Sequence, residues 1–206
     1  TFVQEGLRLL AEGVHPARIE MAALKAGMPV GPLAIQDEVS LTLSEHVANE
    51  RYKALQAQGQ SISRSPADDV IHSMIHEFNR KGKAAGAGFY DYPADAKKQL
   101  WSGLSHWKKD NDISEQEMID RFLFVQALDT VRCLEEGVLE SVVDANVGSI
   151  FGIGFAAWTG GAVQFLNQYG LARAVTRAKV LENKYGERFK APQLLKDRAA
   201  HAQSIQ

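Results

Sequence analysis

The chain has 206 residues, of which 45% are hydrophobic and 23% are charged, and its formal net charge is −2. This is the composition of a globular protein with an ordinary core. The balance of charges excludes a domain-wide basic surface, which nucleic-acid binding requires in order to neutralise many phosphates. No apolar run approaches the ~20 residues that span a bilayer. We therefore predict no nucleic-acid partner and no membrane partner.

The single cysteine, Cys133, cannot form an internal disulfide and gives no sign of an oxidising compartment. Two interpretations remain open for its thiol, a small buried hydrophobe or a nucleophile. The first is favoured because no histidine or charge motif that would activate a thiolate surrounds it. The chain ends on Ser-Ile-Gln, which differs from the peroxisomal address, so a cytoplasmic location is the default expectation.

Helical periodicity dominates the first half of the chain. Leu7, Leu10 and Val14 share one side of a first helix, and Pro16 suits the first turn of a second helix, which Gly27 ends. Pro32 opens a third helix that is expected to run to about residue 58. Its predicted buried face repeats at four-residue spacing and consists of Ile35, Val39, Leu43 and Val47.

A loop is expected over residues 59–63, and Ser65 and Pro66 then start a helix as its N-cap and first-turn residues. The predicted inward face of that helix consists of Val70, Ile71, Met74, Ile75 and Phe78. Residues 83–93 combine glycines with alternating aromatic side chains, which indicates an extended strip laid over the helices.

A polar stretch marks the predicted domain boundary. We predict a first helical unit over residues 1–93, a linker over 94–113 and a second helical unit over 114–206. Ser114 and Glu117 form a capping box that opens a long helix, and Gly137 ends it. A short helix over 141–147, a glycine-rich turn, and helices over 162–169, over 171–185 and after Pro192 complete the chain. Strand signals are few, so the predicted class is all-α, with two tandem related helical units packed together and no Rossmann domain.

One sequence pattern occurs twice, which indicates a duplicated helical unit. The first copy comprises residues 10–14 (Leu-Ala-Glu-Gly-Val), Ile19-Glu20 and a glycine segment over 27–32. The second comprises residues 134–138 (Leu-Glu-Glu-Gly-Val), Val143-Asp144 and a glycine segment over 154–161. Residues 118–123 extend the second copy upstream, and the first copy has no counterpart. We therefore expect the chain to begin inside an element, as a fragment or a processed piece does.

The glycine segment of the second copy has the spacing of a dinucleotide-binding loop, with Gly152 and Gly154 at the first two positions and Ala157 at the third. Such a loop lies between a strand and a helix, so that helix amides hold the pyrophosphate. Here a predicted helix precedes it. A tight turn, whose glycines let helices approach closely, is therefore favoured over a phosphate site.

Two histidines, His72 and His76, lie one helical turn apart, a spacing that can bind zinc. A metalloprotease motif needs a glutamate directly after the first histidine, and Ser73 stands there. No third ligand is evident, so ordinary histidines are favoured and no metal is predicted. Asp37 and Glu38 are placed to cap or bridge neighbouring helices, and no chemical role is assigned to them.

Three further segments occur in a fixed order. Residues 26–39 read AGMPVGPLAIQDEV, residues 83–92 read KAAGAGFYDY, and residues 132–137 read RCLEEG, followed by a glycine-rich turn. Together they resemble the C-terminal helical domains of the 3-hydroxyacyl-CoA dehydrogenase family, most of all those of bacterial multifunctional fatty-acid oxidation enzymes. Ser40 stands where the family motif of the first segment ends in glycine. The resemblance covers nearly the whole chain.

The resemblance implies a fold like the C-terminal domain of 6-phosphogluconate dehydrogenase and a place in an NAD-dependent oxidoreductase of fatty-acid β-oxidation. In that family a Rossmann domain binds NAD and supplies a His–Glu acid–base pair. The helical region packs against it, closes over the acyl-CoA and forms the dimer contact. In multifunctional members the second helical unit takes the place of a dimer partner, and an enoyl-CoA hydratase domain is expected in the parent.

An Asn–Arg pair near the start of the family's first helix lies at the active site. By the repeat register its place falls upstream of Thr1, and Asp120 and Arg121 stand at the corresponding place in the second copy. No catalytic, cofactor-binding or metal-binding residue is therefore carried over. The family's domain cleft adjoins a loop whose counterpart here is the candidate substrate-binding site, formed by Pro29, Val30, Gly31 and Pro32.

Two functions follow as hypotheses. In the first, the chain is the substrate-enclosing and assembly region of a 3-hydroxyacyl-CoA dehydrogenase, and the isolated chain neither binds NAD nor turns over. Its partners would be the acyl-CoA, the Rossmann domain of the parent packed on the first unit, and a second copy in a homodimer. In the alternative, the chain is a stand-alone helical module that binds acyl-CoA or mediates dimerisation.

Overall fold

The computed structural model describes residues 1–60 and 63–206, and ten α-helices carry this part of the chain. The predicted all-α class is confirmed. The helices are α1 Phe2–Ala11, α2 Pro16–Ala26, α3 Pro32–Val39, α4 Leu41–Ala57, α5 Pro66–His76, α6 Glu115–Glu135, α7 Val142–Ile153, α8 Ala162–Tyr169, α9 Leu171–Tyr185 and α10 Gln193–Ala200. Of the predicted loop over residues 59–63, Ser61 and Ile62 lie outside the described residues.

Four 3₁₀ turns and one short sheet complete the described residues. The turns are Lys83–Ala85, Ser102–Trp107, Ala157–Thr159 and Glu187–Phe189. Strands β1 (Tyr90–Asp91) and β2 (Gln99–Leu100) pair antiparallel, with Tyr90 opposite Leu100. Among the helices described, none has both the length and the apolar character that crossing a membrane requires.

The chain divides into two compact units. One unit contains residues 1–2, 22–29 and 114–206, and the other contains residues 3–21 and 30–113. We call them the α6 unit and the α4 unit after their longest helices. The predicted division at residues 93 and 113 stays a prediction. Within the α4 unit, the segment predicted as a linker carries β2 and a 3₁₀ turn in which Leu104 is buried.

The α6 unit is built around the long helix that the capping box predicted. The Ser114 hydroxyl accepts a hydrogen bond from the Glu117 amide at 3.2 Å, and Gly137 adopts φ +70° just beyond the helix end. Every residue of this helix from 120 to 128 is buried. Phe124 packs edge-on against Phe165 and Tyr169, with ring centroids 5.5 and 5.1 Å apart. Aromatic packing of this kind dominates core energetics.

The α4 unit pairs α4 with α5. As predicted, Ser65 caps α5 by accepting a hydrogen bond from the Asp68 amide at 3.2 Å, with Pro66 in the first turn. Val70, Ile71, Met74 and Ile75 are buried as expected, whereas Phe78 lies beyond the helix end and is half-buried. Phe78 instead packs against the ring of Trp101 at 5.1 Å.

The predicted third helix is wrong in its continuity and in its buried face. It breaks at Ser40, which has φ +82°, and the Leu41 amide leaves the helix to donate to the Lys81 carbonyl at 3.1 Å. Three of the four predicted core residues are exposed: Val39 at 48%, Leu43 at 50% and Val47 at 60%. The buried positions of α3 and α4 are Pro32, Leu33, Ala34, Gln36, Asp37, Leu41 and Ala48.

The predicted short helix over 141–147 is also wrong in its end. Helix α7 continues six residues further, to Ile153, and Gly154 then ends it in a left-handed conformation with φ +69°. Gly148 and Gly152 lie inside the helix, and no other part of the described chain comes within 4 Å of the place of their missing Cβ atoms. Glycine lowers helix propensity by about 1 kcal/mol but does not forbid a helix, and here it is tolerated.

Candidate functional site

The predicted substrate-binding loop divides into an exposed half and a buried half. Pro29 is exposed and Val30 retains 40% of its accessible surface, whereas Gly31 and Pro32 are buried. Pro29 is the last residue of its segment in the α6 unit, and Val30, Gly31 and Pro32 belong to the α4 unit. Side chains that could contact a ligand are therefore those of the first two residues, while the last two shape the backbone.

Glu20 holds the buried half of the loop. Its carboxylate accepts a hydrogen bond from the Leu33 amide at 2.8 Å, in the first turn of α3, and another from the Tyr90 hydroxyl at 2.6 Å. A Cβ on Gly31 would lie 2.4 Å from that carboxylate, so a larger residue would have to displace Glu20 from these hydrogen bonds. Burial raises the pKa of Glu20, and the hydrogen bonds from Tyr90 and Leu33 oppose the rise only in part.

Asp37 anchors the strip that follows α5. It is 1% exposed and accepts hydrogen bonds from the amides of Phe89 at 2.8 Å and Tyr90 at 2.9 Å, and from the Tyr92 hydroxyl at 2.8 Å. Burial raises the pKa of this carboxyl above its ordinary value, against those hydrogen bonds. Burial also raises the pKa of the Tyr90 and Tyr92 phenols, and the neighbouring carboxylates add to it.

Glu20 and Asp37 thus form one polar cluster that connects the loop to residues 89–92 within the α4 unit. Both carboxylates are bound to backbone amides of the segments that they position, which is how buried polar groups are ordinarily satisfied. These hydrogen bonds give a structural reason for two of the sequence segments, residues 26–39 and residues 83–92. They supply a rigid support for the loop and assign neither carboxylate a part in proton transfer.

In the α6 unit, too, a side chain binds the backbone amides at the start of a helix, but the residue is Asn146. The Asn146 carboxamide oxygen accepts hydrogen bonds from the amides of Val163 and Gln164, both at 3.0 Å, in the first turn of α8. A Cβ on Gly161 would lie 2.5 Å from the Asn146 Cβ, as one on Gly31 would overlap Glu20. The sequence pattern aligned Glu20 with Asp144. In the structure, the residue that plays the part of Glu20 is Asn146, two positions further along the chain.

The glycine-rich turn does not fit a dinucleotide. The amides at the start of α8 are already bound, since Ala162 donates to the Ser149 hydroxyl at 3.0 Å and the next two donate to Asn146. A pyrophosphate needs those donors free. The turn instead packs against the end of α2. The Trp158 indole donates to the Ala26 carbonyl at 3.0 Å, and it lies so close to Gly27 that a Cβ there would overlap it. The prediction of a tight turn that brings helices close agrees with this geometry.

Asp120 and Arg121, which the repeat register predicts to correspond to an active-site pair in the family that the chain resembles, are buried in the α6 unit. The Asp120 carboxylate accepts hydrogen bonds from Arg177 at 2.7 Å and from Gln116 at 2.8 Å. Arg121 is fully buried, and its guanidinium lies 3.9 Å from the centroid of the Tyr185 ring. Both side chains are thus engaged inside their own unit.

The structure brings a third residue to the two histidines of α5. The Glu45 carboxylate, on α4, lies 3.0 Å from His72 Nδ1 and 3.0 Å from His76 Nε2. Sequence analysis missed this residue because 27 and 31 positions separate it from the histidines and no local spacing indicates it. Cys133 shows no activation, since burial and the charges of Asp129 and Glu136 raise the pKa of its thiol.

Comparisons with known proteins agree with this geometry. Residues 1–92 match the family described as 3-hydroxyacyl-CoA dehydrogenase, C-terminal domain. The fatty acid oxidation complex subunit alpha of Shewanella amazonensis is 33% identical over 222 residues, covering 99% of this chain and 29% of the relative. The protein of that name from Vibrio cholerae is 31% identical over 191 residues, covering 91% of this chain and 26% of the relative. The chain therefore spans less than a third of the length of these relatives.

Among solved structures, 3-hydroxybutyryl-CoA dehydrogenase from Escherichia coli superimposes with a TM-score of 0.69 over 97% of this chain and 58% of that chain. Its sequence identity is 18%, so the likeness shows the fold. These findings confirm the resemblance inferred from the three motifs. Residues 1–92 are therefore similar to the C-terminal domain of 3-hydroxyacyl-CoA dehydrogenases, and nearly the whole chain is similar to part of the fatty acid oxidation complex alpha subunits.

Proposed function

We propose that this chain is the helical C-terminal part of an NAD-dependent 3-hydroxyacyl-CoA dehydrogenase of fatty-acid β-oxidation. The observation that carries the proposal is the similarity over 99% of the chain to an alpha subunit of a fatty acid oxidation complex. In the parent reaction a base takes the 3-hydroxyl proton of the acyl-CoA while hydride passes to NAD. The parent would be multifunctional, with an enoyl-CoA hydratase domain, and would act in the cytoplasm.

The part of this chain in that reaction is to enclose the substrate and to assemble the enzyme. Two observations support a role outside the chemistry. The carboxylates of half-buried Glu20 and buried Asp37 are bound to backbone amides, and the amides at the start of α8 are bound by Ser149 and Asn146. The start of α8 therefore offers no free amides to a dinucleotide, and NAD would be held by the Rossmann domain of the parent.

The loop would contribute apolar surface to the acyl-CoA. Pro29 and Val30 are exposed, whereas Gly31 and Pro32 hold the backbone against Glu20 and the start of α3. A rigid loop loses little conformational freedom on binding, which favours its use in a substrate cleft. Closing such a cleft excludes water from the hydride transfer.

Exposed apolar stripes support the role in assembly. On α3 and α4, Val39, Leu43 and Val47 are between 48% and 60% exposed at four-residue spacing. On α7, Val143, Val147 and Phe151 repeat that spacing with 69%, 50% and 86% exposure. Stripes of this kind mark interaction surfaces. The Rossmann domain of the parent would cover the first stripe, and a second copy in a homodimer would cover the other.

The proposal is tested first on the isolated chain. It should neither bind NADH nor reduce acetoacetyl-CoA with it, and calorimetry should show no acetoacetyl-CoA binding. Measurable reduction would overturn the non-catalytic role. Binding of acetoacetyl-CoA without turnover would instead favour the alternative, a stand-alone acyl-CoA-binding module.

The loop is tested in the complete enzyme. Pro29→Gly should lower kcat/KM for the acyl-CoA, because the loop loses its fixed shape, while the Km for NAD stays unchanged. Pro93→Gly is the matched control, since Pro93 is another exposed proline and lies outside the loop. Equal kinetics for Pro29→Gly and the control would remove the loop from the substrate site.

A further inference from the structure

A cluster on the α4 unit, distant in sequence from the loop, unites Glu45 of α4 with His72 and His76 of α5. One ligand atom from each of the three lies within 4.8 Å of the others. The Glu45 carboxylate contacts His72 Nδ1 at 3.0 Å and His76 Nε2 at 3.0 and 3.1 Å, and the two imidazole centroids are 4.4 Å apart. We propose that Glu45, His72 and His76 bind a divalent transition-metal ion, best fitted by zinc, that clamps α4 to α5.

The geometry is close to that of a zinc site. Zinc bonds to histidine nitrogen and carboxylate oxygen are about 2.0–2.2 Å long, so two ligand atoms of a tetrahedral site lie roughly 3.3 Å apart. Each of the two histidine nitrogens lies 3.0 Å from the carboxylate, close to that spacing, and all three ligand atoms are within 4.8 Å of one another. His72 and His76 are one turn apart on α5, and their backbones are therefore fixed relative to each other.

The donor set selects the class of ion. Two imidazole nitrogens with one carboxylate suit zinc and its neighbours in the first transition series, whereas calcium and magnesium prefer sets made of oxygen alone. The imidazole side chains are 42% and 52% exposed, so an ion can enter from solvent and keep a water molecule as its fourth ligand. Glu45 is only 20% exposed and forms the floor of the site.

The Glu45 carboxylate faces the two imidazoles from α4, with 3.0 Å to His72 Nδ1 and 3.0 Å to His76 Nε2. The neighbouring acid on α5, Asp68, does not compete, because Arg51 and Tyr52 already bind its carboxylate. A metalloprotease motif would have a glutamate directly after His72, where Ser73 stands. The Ser73 hydroxyl donates to Glu77, so it does not take part in the cluster. The role proposed is structural.

The test is a thermal-shift titration of the untagged chain with zinc chloride against an EDTA reference. Zinc binds the folded chain in preference to the unfolded one, so Tm should rise by roughly 5–10 °C at about a hundredfold excess over Kd. Cobalt should give visible absorption bands of a four-coordinate ion with nitrogen and oxygen ligands. Magnesium at the same concentration should have no effect.

Variants decide whether the cluster is the site. His72→Gln and His76→Gln should each abolish the zinc-dependent part of Tm, measured for each variant against its own EDTA reference so that any loss of stability cancels. His46→Gln is the matched control, because His46 lies on α4 next to Glu45 but outside the cluster, and it should keep the shift. If zinc does not raise the Tm of the unsubstituted chain, or raises that of His72→Gln equally, the proposal is overturned.

Discussion

The Asp37 cluster offers the sharpest test of how this fold is held together. Asp37→Ala removes the acceptor of two backbone amides, those of Phe89 and Tyr90, and of one phenol, that of Tyr92. Phe89 is fully buried and Tyr90 is 9% exposed, so water cannot readily replace the carboxylate at these amides. The Tyr92 side chain is half-buried and can turn to water.

The size of the effect follows from the two amides. A buried donor left without a partner costs about 1–3 kcal/mol, so the pair costs about 2–6 kcal/mol. Burial of the carboxylate is itself unfavourable, as its raised pKa shows, and deleting the group recovers part of that cost. We therefore expect Asp37→Ala to lower the free energy of unfolding by about 2–4 kcal/mol, a large share of the 5–15 kcal/mol typical of a domain.

The assay is urea unfolding combined with amide hydrogen exchange. Glu38→Ala is the matched control, because Glu38 is the next residue and forms a half-exposed ion pair with Lys83 at 2.6 Å. Such a pair contributes at most about 1 kcal/mol. In Asp37→Ala the amides of Phe89 and Tyr90 should exchange faster than in the control. A loss below about 1 kcal/mol, or exchange equal to the control, would refute the account of the cluster.

Three further predictions concern single groups. Because the pKa of Glu20 is raised above its ordinary value of 4.5, its protonated form is favoured in the fold. The unsubstituted chain should therefore lose stability relative to Glu20→Gln as pH rises from about 4.5 through the raised pKa. The same pH dependence of the free energy of unfolding in both proteins would contradict this. Gly31→Ala should destabilise by overlap with the Glu20 carboxylate, whereas Gly148→Ala, in open helix, should stabilise by about 0.5–1 kcal/mol in the same urea assay. The raised pKa of Cys133 predicts slow labelling by a disulfide reagent at pH 7, with a rate that climbs above pH 9; rapid labelling at neutral pH would indicate an activated thiol.

Helix starts and several helix ends could be predicted from sequence because their causes are local. Ser65 and Ser114 cap helices through amides three residues away, and Gly27 and Gly137 end helices through a positive φ that few other residues adopt. The family resemblance had the same character, since it depended on short ordered motifs. Even so, Gly148 and Gly152 lie within a helix, because the bonds around them outweigh a modest local preference.

The choice of buried face was not local. Apolar spacing put Val39, Leu43 and Val47 in the core, but the structure exposes them and buries Gln36 and Asp37 instead. Asp37 takes its partners from residues 52–55 positions later in the chain, and those bonds orient α3. Periodicity reports that a helix has an apolar stripe, and it cannot tell a core stripe from one left for a partner.

By itself, the sequence determined the helical class, most helix boundaries and the family resemblance, since these depend on backbone preferences and short motifs. Only the tertiary structure decided which residues meet. It placed Asn146 rather than Asp144 opposite the start of α8, and it brought Glu45 to His72 and His76. Such contacts join positions far apart in the chain, and their energies depend on desolvation and geometry that arise only once the helices are packed.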